Sequence, residues 1–562
     1  MYFNKKVSHS FLQRMFVFLL FPCLPFFAVM AQNQYTIRPN DINVLYADKY
    51  TSTTGSISIQ NQGANWSGTS SMRWTISVPA AGDYKFKLLN TVSGSANGTS
   101  MQISSQSGST LNFTLRTTSG LLNGYERDTV AGTLALTQGV QWIQLASLNV
   151  AGGGSVMGLR GLEIYPVAGQ AAIAAEYARA KAYRASTDWM VQAKYGCMHH
   201  WTTNSINQAG STVPFQQMVS GFNVSNFANQ EKTMGVGYVL FTVAHVALTF
   251  PAPLVSWAKY HGASSVTTRD LVMEMADSLN ARGIKLMLYF PPGFAWPGSG
   301  KTADFMTEWR EQLTEIGNRY GKKVAGYWFD GWYQGAEFYP DANFDSLDQA
   351  CKAGNPDRVY ALNPWIYPAV TPWQEYSAGE AAGLVTPPSS RYLPEVSNFG
   401  LQGHLLSILE PNWWMDQLGR TPSYSAQQMS NYVLGCMKNG VVPTINTMVY
   451  VDGTVLPASL AVFQAIKAAV ANVNPVVSIR ERAPSPEAPR SALIGAIGDN
   501  FQIFGDKIVF PSKYAGKEIT YAISDMTGKH LRNASTSKSA VNLRQELKLT
   551  DGHYLVKIVS VR

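Results

Sequence analysis

The sequence is poor in cysteine, which excludes a chain held together by disulfide bonds. Only four cysteines occur in 562 residues, and one of them, Cys23, lies in an apolar segment at the N-terminus. The other three, Cys197, Cys351 and Cys436, are an odd and sparse set for a chain of this length. Stability is therefore expected to come from apolar cores. No residues have the spacing of a zinc finger, and we expect no metal or other cofactor.

The main part of the chain also lacks an excess of either charge. The whole sequence has 44 Lys and Arg against 36 Asp and Glu. The excess of basic residues lies at the two ends, because residues 32–476 contain as many acidic as basic residues. Nucleic-acid binding requires a concentrated basic surface, so the balance argues against a nucleic-acid partner. It favours an uncharged substrate.

A membrane-spanning segment is missing as well, because no apolar run after residue 31 is long enough to cross a bilayer. The N-terminus itself has Lys5, Lys6 and Arg14 before an apolar stretch at 15–28 and a small-residue site ending at Ala31. This order is typical of a secretory signal peptide. We therefore predict a signal peptide at 1–31 and a secreted or cell-surface protein.

Three further regions follow, each with its own pattern. Residues 33–168 contain short alternating runs between turn residues, which predict a β-sandwich. Residues 171–474 alternate strand-like and helical segments, which predicts a parallel sheet of the (β/α)8-barrel type. A proline-rich linker is predicted at 475–495, and residues 496–562 are predicted to form a small all-β domain.

One acid stands out in the predicted barrel. Asp330 ends the apolar run 324–329 and precedes a glycine, in a segment with many aromatic residues. The C-terminal ends of barrel strands form the rim where active sites lie, so this position suits a catalytic carboxylate. The flanking Trp328 and Trp332 are predicted to stack on sugar rings. The alternative is an Asp that only caps a turn.

Other predicted strands end in groups suited to binding a sugar. His199, His200 and Trp201 follow one strand, and His245 follows the next. Histidines would hydrogen-bond ring hydroxyls, although adjacent residues on a strand point to opposite faces. Trp413 is a further candidate for contact with the sugar.

Five segments, taken in order, resemble the α-L-fucosidase family of glycoside hydrolases, family 29. They are Tyr-Gly-Cys-Met-His-His-Trp at 195–201, Phe-Asn at 222–223 with the strand leading to His245, the helix and strand at 269–289, Tyr-Trp-Phe-Asp-Gly at 327–331, and the stretch 437–454. The resemblance covers about half of the chain. It implies a (β/α)8-type barrel, a retaining exo-glycosidase mechanism and Asp330 as the nucleophile.

A retaining glycosidase needs a second carboxyl group, about 5–5.5 Å from the first, as general acid and base. Gly-Glu-Ala-Ala-Gly at 379–383 resembles the loop that carries this residue in one branch of the family, which implies Glu380. Glu395 and Glu410 remain alternatives, the latter because Trp413 lies beside it.

The flanking regions carry resemblances of their own. The order of runs in 33–168 resembles the carbohydrate-binding modules of secreted glycosidases. The C-terminal region, with Asp-Met-Thr-Gly-Lys at 525–529 and Gly-His-Tyr-Leu-Val-Lys at 552–557, is similar to the sorting domain of bacterial type IX secretion. These resemblances imply a polysaccharide partner, bacterial export and attachment to the cell surface.

The sequence departs from the family pattern at several binding positions. Ala244 precedes His245 where the family has paired histidines, and Thr202 follows Trp201 where it has glycine. The expected function is hydrolysis of terminal α-L-fucose or a related L-sugar from glycans. The alternative that the sequence leaves open is a non-catalytic glycan-binding protein on a degenerate barrel.

Overall fold

The structure is a computed structural model. The ranges that it describes are 34–60, 63–118, 125–152, 154–245, 247–291, 305–332, 343–364, 369–475, 502–504, 507–509, 517–525, 530–538, 540–542 and 554–561. The predicted signal peptide at 1–31 and nearly all of the predicted linker lie outside these ranges. Across the described ranges, every helix is too short or too polar to cross a bilayer.

The N-terminal region is an all-β domain. Its strands are β1 (Gln34–Thr36), β2 (Asn43–Tyr46), β3 (Ser52–Gln60), β4 (Gly63–Val78), β5 (Gly82–Thr91), β6 (Ser100–Ser105), β7 (Thr110–Thr114), β8 (Glu126–Leu136), β9 (Gly139–Asn149) and β10 (Ser155–Pro166). All pairs are antiparallel except β1 with β4. On β4, Trp74, Ile76 and Val78 are buried in one core, as their alternation predicts. The all-β prediction is confirmed in this respect, whereas carbohydrate binding remains a prediction.

The guanidinium of Arg127 connects this domain to the next one. Arg127 Nε lies 2.7 Å from a Glu163 carboxylate oxygen, and both side chains are almost completely buried. The same guanidinium donates to the carbonyl of Ala369 over 2.9 Å and lies over the ring of Phe399. A buried Arg needs such partners, so this contact holds the all-β domain against the barrel.

The central region is a curled parallel sheet flanked by helices. Its strands are β11 (Gly196–His199), β12 (Tyr238–Thr242), β13 (Lys285–Phe290), β14 (Val324–Phe329), β15 (Val359–Leu362), β16 (Glu380–Ala382), β17 (His404–Ile408) and β18 (Val442–Asn446). The order across the sheet is β15-β14-β13-β12-β11-β18-β17-β16, with every neighbouring pair parallel. The first strand thus pairs with the last, as in a (β/α)8 barrel. In the described part of the chain, β15 and β16 are not paired, so the barrel is open there.

Helices connect these strands along the outside. They are α1 (Gln170–Tyr183), α2 (Asp188–Gln192), α3 (Phe215–Gly221), α4 (Val224–Met234), α5 (Val255–His261), α6 (Leu271–Asn280), α7 (Phe305–Tyr320), α8 (Phe344–Cys351), α9 (Glu395–Asn398), α10 (Ala426–Lys438) and α11 (Pro457–Val470). The strand–helix alternation agrees with the predicted fold class.

Alternation along the strands separates two cores. One core fills the barrel interior and includes Met198, Leu240, Tyr289 and Trp328. The other lies between strands and helices and includes their outward-facing neighbours, such as Phe329. Side chains alternate along a strand, so residues an even number of positions apart face the same side. Asp330 is two residues after Trp328 and therefore continues the inward series.

Two small antiparallel sheets are described in the C-terminal region. One consists of β19 (Gln502–Phe504), β20 (Lys507–Val509) and β23 (Ala540–Asn542); the other consists of β21 (Ile519–Asp525), β22 (His530–Thr536) and β24 (Tyr554–Val561). Their strands agree with the predicted all-β character, and a sorting role remains a prediction.

Candidate active site

Two carboxylates meet at a single amide nitrogen at the C-terminal end of the barrel. Asn363 Nδ2 donates to Asp330 Oδ1 over 2.9 Å and to Glu380 Oε2 over 2.5 Å. Asp330 follows β14, Asn363 follows β15, and Glu380 begins β16. Because both oxygens bond to one nitrogen, they lie less than about 6 Å apart, which is compatible with the spacing of a retaining pair.

Asp330 is surrounded by hydrogen-bond donors. The Tyr289 hydroxyl donates to Oδ2, and the Gly331 N–H donates to Oδ1 over 2.9 Å. With the Asn363 amide, these groups present the partners that an ionised carboxylate accepts. They also fix the orientation of the carboxylate, because Tyr289 stacks on Trp328 beneath it.

Glu380 has an environment that favours its protonated form. Burial, and then the negative charge of Asp330, raise the pKa of Glu380 to about 7, although the hydrogen bond from Asn363 acts in the opposite direction. A carboxyl group with this pKa carries a proton in a useful fraction of molecules near neutral pH. Glu380 therefore has the proton that a general acid needs.

The backbone before Glu380 requires glycine. Gly379 has φ +64°, and a Cβ placed on it would lie 1.9 Å from the carbonyl oxygen of His404. The strand carrying Glu380 can approach β17 only because this residue has no side chain.

Removing the charge of Glu380 should stabilise the protein at alkaline pH. The pKa of Glu380 is raised from 4.5 in the unfolded chain to about 7 in the fold, so stability falls as pH rises between these values. We expect the free energy of unfolding of Glu380→Gln to exceed that of the wild type by about 3 kcal/mol at pH 8 and to match it near pH 4.5. Urea unfolding of the barrel at both pH values measures this difference. Glu395→Gln, on the exposed surface, is the control; an equal effect of Glu380→Gln at both pH values would contradict the assignment.

His200 lies beside the carboxylate pair with one ring nitrogen already used. Its Nδ1 is 2.9 Å from Asn446 Oδ1, while Asn446 Nδ2 donates to the carbonyl of Trp413 over 2.8 Å. Since the amide nitrogen is committed to a carbonyl, its oxygen accepts from Nδ1, and Nε2 carries the lone pair. Burial and the neighbouring His245 lower the pKa of His200 to about 3, so the ring stays neutral. Nε2 can then accept a hydrogen bond from a hydroxyl group.

Aromatic rings surround these groups. The ring of His200 lies 4.9 Å from that of Tyr289 and 5.0 Å from that of Trp413. His245 stacks on Tyr289 at 6.0 Å and lies 6.2 Å from Trp414. Burial lowers the pKa of His245, while the charge of Asp330 raises it to a smaller extent. The two acids therefore lie among aromatic rings and uncharged histidines, an environment that suits a sugar.

Three residues predicted to bind substrate face away from this pocket. His199 Nδ1 lies 3.0 Å from the Thr447 carbonyl and Nε2 lies 2.9 Å from Glu231, in the layer between strand and helix. Trp201 donates to the carbonyl of Val451 and packs in the core between strands and helices, and Trp332 stacks on Trp309 in the same core. The predictions for these three residues need correction. His199 and Trp201 continue the outward series of Cys197 on their strand. Trp332 lies beyond the end of β14, where strand alternation no longer applies, and its ring packs in the outer core. Trp328 does face the interior, where it donates to the Ala378 carbonyl below Asp330.

The two alternatives to Glu380 lie elsewhere. Glu395 is exposed on α9 and pairs with Lys181 on α1. Glu410 is buried, and it accepts hydrogen bonds from Thr447, Met448 and Ser459. Thr447 and Met448 follow β18, and Ser459 lies on α11. Glu410 therefore connects the end of β18 to α11. Of the three glutamates, Glu380 is the one that shares a hydrogen-bond donor with Asp330.

Two important site residues were not predicted from the sequence. Tyr289 enters the sequence analysis only as the last residue of the matching segment 269–289, and nothing in the sequence singles out Asn363. Asn363 lies level with Asp330, since Phe329 pairs with Leu362, and Tyr289 pairs with Trp328, two residues before Asp330 on the same face of the sheet. Aligning the ends of adjacent parallel strands would have indicated them.

This arrangement of strand ends can be compared with known proteins. Residues 214–367 match the α-L-fucosidase family model. The fucosidase-family segment contains His245, Tyr289, Asp330 and Asn363, whereas His200 and Glu380 lie just outside it. No curated protein matches the sequence.

Solved α-L-fucosidase structures are also similar to this chain. A Lactobacillus casei α-L-fucosidase in complex with α-L-fucose is 18% identical, with 50% of this chain and 96% of that chain covered and a TM-score of 0.37. A Bacteroides thetaiotaomicron α-L-fucosidase is 14% identical, with 67% and 96% covered and a TM-score of 0.39. A bacterial fucosidase with an iminocyclitol inhibitor is 15% identical, with 68% and 98% covered and a TM-score of 0.40.

Proposed function

We propose that this protein is a retaining exo-glycosidase that hydrolyses terminal α-L-fucose, or a related L-sugar, from glycans. The observation that carries the proposal is the Asn363 amide, which joins Asp330 and Glu380 in one pocket. The match of residues 214–367 to the α-L-fucosidase family supports the choice of sugar.

In the first step, an Asp330 oxygen attacks the anomeric carbon while Glu380 protonates the glycosidic oxygen. The aglycone leaves, and an ester forms between Asp330 and the sugar. Esterification removes the charge of Asp330, which is one of the causes of the raised pKa of Glu380. The pKa of Glu380 therefore falls when it must act as a base. Glu380 then takes a proton from water, which attacks the anomeric carbon and releases Asp330.

His200 would bind the sugar through a hydroxyl donated to Nε2. Its replacement by alanine is expected to raise KM for an aryl α-L-fucoside by about 10- to 100-fold, since one buried hydrogen bond is lost. The effect on kcat should be smaller. Steady-state kinetics tests this, with His261→Gln as control because His261 pairs with Glu308 on the outside of the barrel. An unchanged KM would remove His200 from the binding site.

We further propose export by the predicted signal peptide, and attachment of the enzyme to the bacterial surface by the C-terminal domain. The neutral body of the chain and the carbohydrate-binding-module pattern of 33–168 support a role of the N-terminal domain in holding polysaccharide. Fractionation of cells that express the full chain, with and without residues 496–562, tests the location.

A panel of aryl glycosides tests the proposed function. The wild type is expected to hydrolyse aryl α-L-fucosides faster than the α- and β-glycosides of D-sugars. Binding of fucosylated glycans without hydrolysis of any aryl glycoside would instead favour the non-catalytic glycan-binding protein. Asp330→Ala provides the inactive control for traces of contaminating enzyme.

A further inference from the structure

A second cluster of chemically reactive side chains lies on the outer side of β11. Cys197 and His199 are two residues apart on this strand and therefore share a face, which α4 covers with Glu231. Cys197 Sγ lies 3.3 Å from His199 Nε2, which is 2.9 Å from Glu231 Oε1. All three side chains are completely buried, and their possible ligand atoms lie within 4.8 Å of one another.

One atom of this cluster lacks a partner. Glu231 Oε2 is buried and makes no hydrogen bond in the described part of the chain. An unsatisfied carboxylate oxygen in the interior is costly, and native proteins seldom retain one without a water or ion. Glu231 therefore has a second oxygen available to bind an ion, in addition to the Oε1 atom that contacts His199.

The histidine has the arrangement of a metal ligand. His199 Nδ1 lies 3.0 Å from the carbonyl oxygen of Thr447, which can only accept a hydrogen bond. Nδ1 therefore carries hydrogen, and in the neutral ring the lone pair of Nε2 points to Cys197 and Glu231. Metal-binding histidines commonly donate their other nitrogen to a backbone carbonyl in this way.

We propose that Cys197, His199 and Glu231 bind one Zn²⁺ ion, with both oxygens of Glu231 as ligands. A thiolate and a carboxylate carry two negative charges, so the ion makes the buried cluster neutral. Sulfur and nitrogen donors favour zinc over calcium or magnesium. The cluster is completely buried beneath α4, so substrate cannot reach the ion and its role is structural: the ion ties β11 to α4 just before His200.

The sequence alone does not reveal such a site. Cys197 and His199 form a Cys-x-His pair, and Glu231 follows 32 residues later on a different element. The ligands converge only because α4 packs on the strand.

Metal analysis of the full chain tests the proposal without reference to enzyme activity. Protein purified without chelators or immobilised metal should contain about one zinc per chain, as for closed structural sites. Cys197→Ser should lose most of this zinc, whereas Cys436→Ser should keep it, because Cys436 is equally buried but lies on α10 outside the cluster. Equal zinc in Cys197→Ser and the wild type would overturn the assignment.

Cobalt provides a second readout in case Cys197→Ser does not fold. Wild-type protein unfolded with a chelator and refolded with Co²⁺ should show a thiolate-to-cobalt charge-transfer band and tetrahedral d–d bands. A wild-type protein that contains no zinc as purified, and takes up neither metal on refolding to its native circular dichroism spectrum, would overturn the proposal. The cluster would then be a buried hydrogen-bonded pair of His199 and Glu231.

Discussion

Replacement of Asp330 by alanine is expected to lower kcat on an aryl α-L-fucoside by about 10⁴-fold or more, because no covalent intermediate can form. The side chain lies at the end of β14 with Tyr289, Gly331 and Asn363 as donors. Its loss removes the nucleophile and leaves these donors without their common acceptor. Asp357→Ala, an exposed position in the same domain, is the matched control.

Azide distinguishes loss of the nucleophile from loss of folding. A small anion can enter the space left in Asp330→Ala and attack the anomeric carbon directly. We expect recovered activity and a glycosyl azide of inverted configuration, detected by nuclear magnetic resonance. Activity of Asp330→Ala near that of the wild type would refute the assignment.

Replacement of Glu380 should have an effect that depends on the leaving group. General acid catalysis contributes about 10²- to 10⁴-fold, so Glu380→Ala should lose this factor on natural glycans and on aryl fucosides with poor leaving groups. Aryl groups that leave without protonation should be much less affected in the first step. The fucosyl-enzyme should then accumulate, because the second step lacks its base.

The same variant gives two further signatures. Azide should accelerate breakdown of the intermediate and yield a glycosyl azide of retained configuration, opposite to the Asp330→Ala product.

In the wild type, kcat/KM should fall as pH rises through about 7, where Glu380 loses its proton. Glu380→Gln should not show this fall in kcat/KM. Glu395→Ala is the matched control. A loss that is equal for all leaving groups would contradict the role of Glu380.

The sequence predicts which strand ends carry the active site better than it predicts which side of the sheet each side chain faces. Asp330 and His200 were found as polar groups at strand ends, and the structure places both in the barrel interior. Trp201 and Trp332 have the same kind of position, yet they face the helices. Alternation assigns a side chain to the inside or the outside only if the register of each strand is known. A turn after the strand end can reverse the direction in which the next side chains point.

The acid was harder to identify than the nucleophile. Glu380 begins β16 and Glu410 follows β17, so both acids lie at strand ends, and composition and spacing alone do not separate them. Packing separates them: Glu380 faces Asn363, whereas Glu410 is held by Thr447 and Ser459. These contacts join residues distant in sequence, which single-sequence patterns do not contain. The resemblance of the loop at 379–383 supplied the signal that the pattern lacked.

In the proposed mechanism, Asp330 forms a covalent bond with the sugar while Glu380 assists. Incubation with a 2-deoxy-2-fluoro-α-L-fucosyl fluoride, followed by proteolysis and peptide mass spectrometry, detects this bond. The predicted result is one fluorofucosyl adduct on Asp330, absent from Asp330→Asn and longer-lived in Glu380→Gln. An adduct on another carboxylate, or rapid turnover with inversion of configuration and no adduct, would contradict the account.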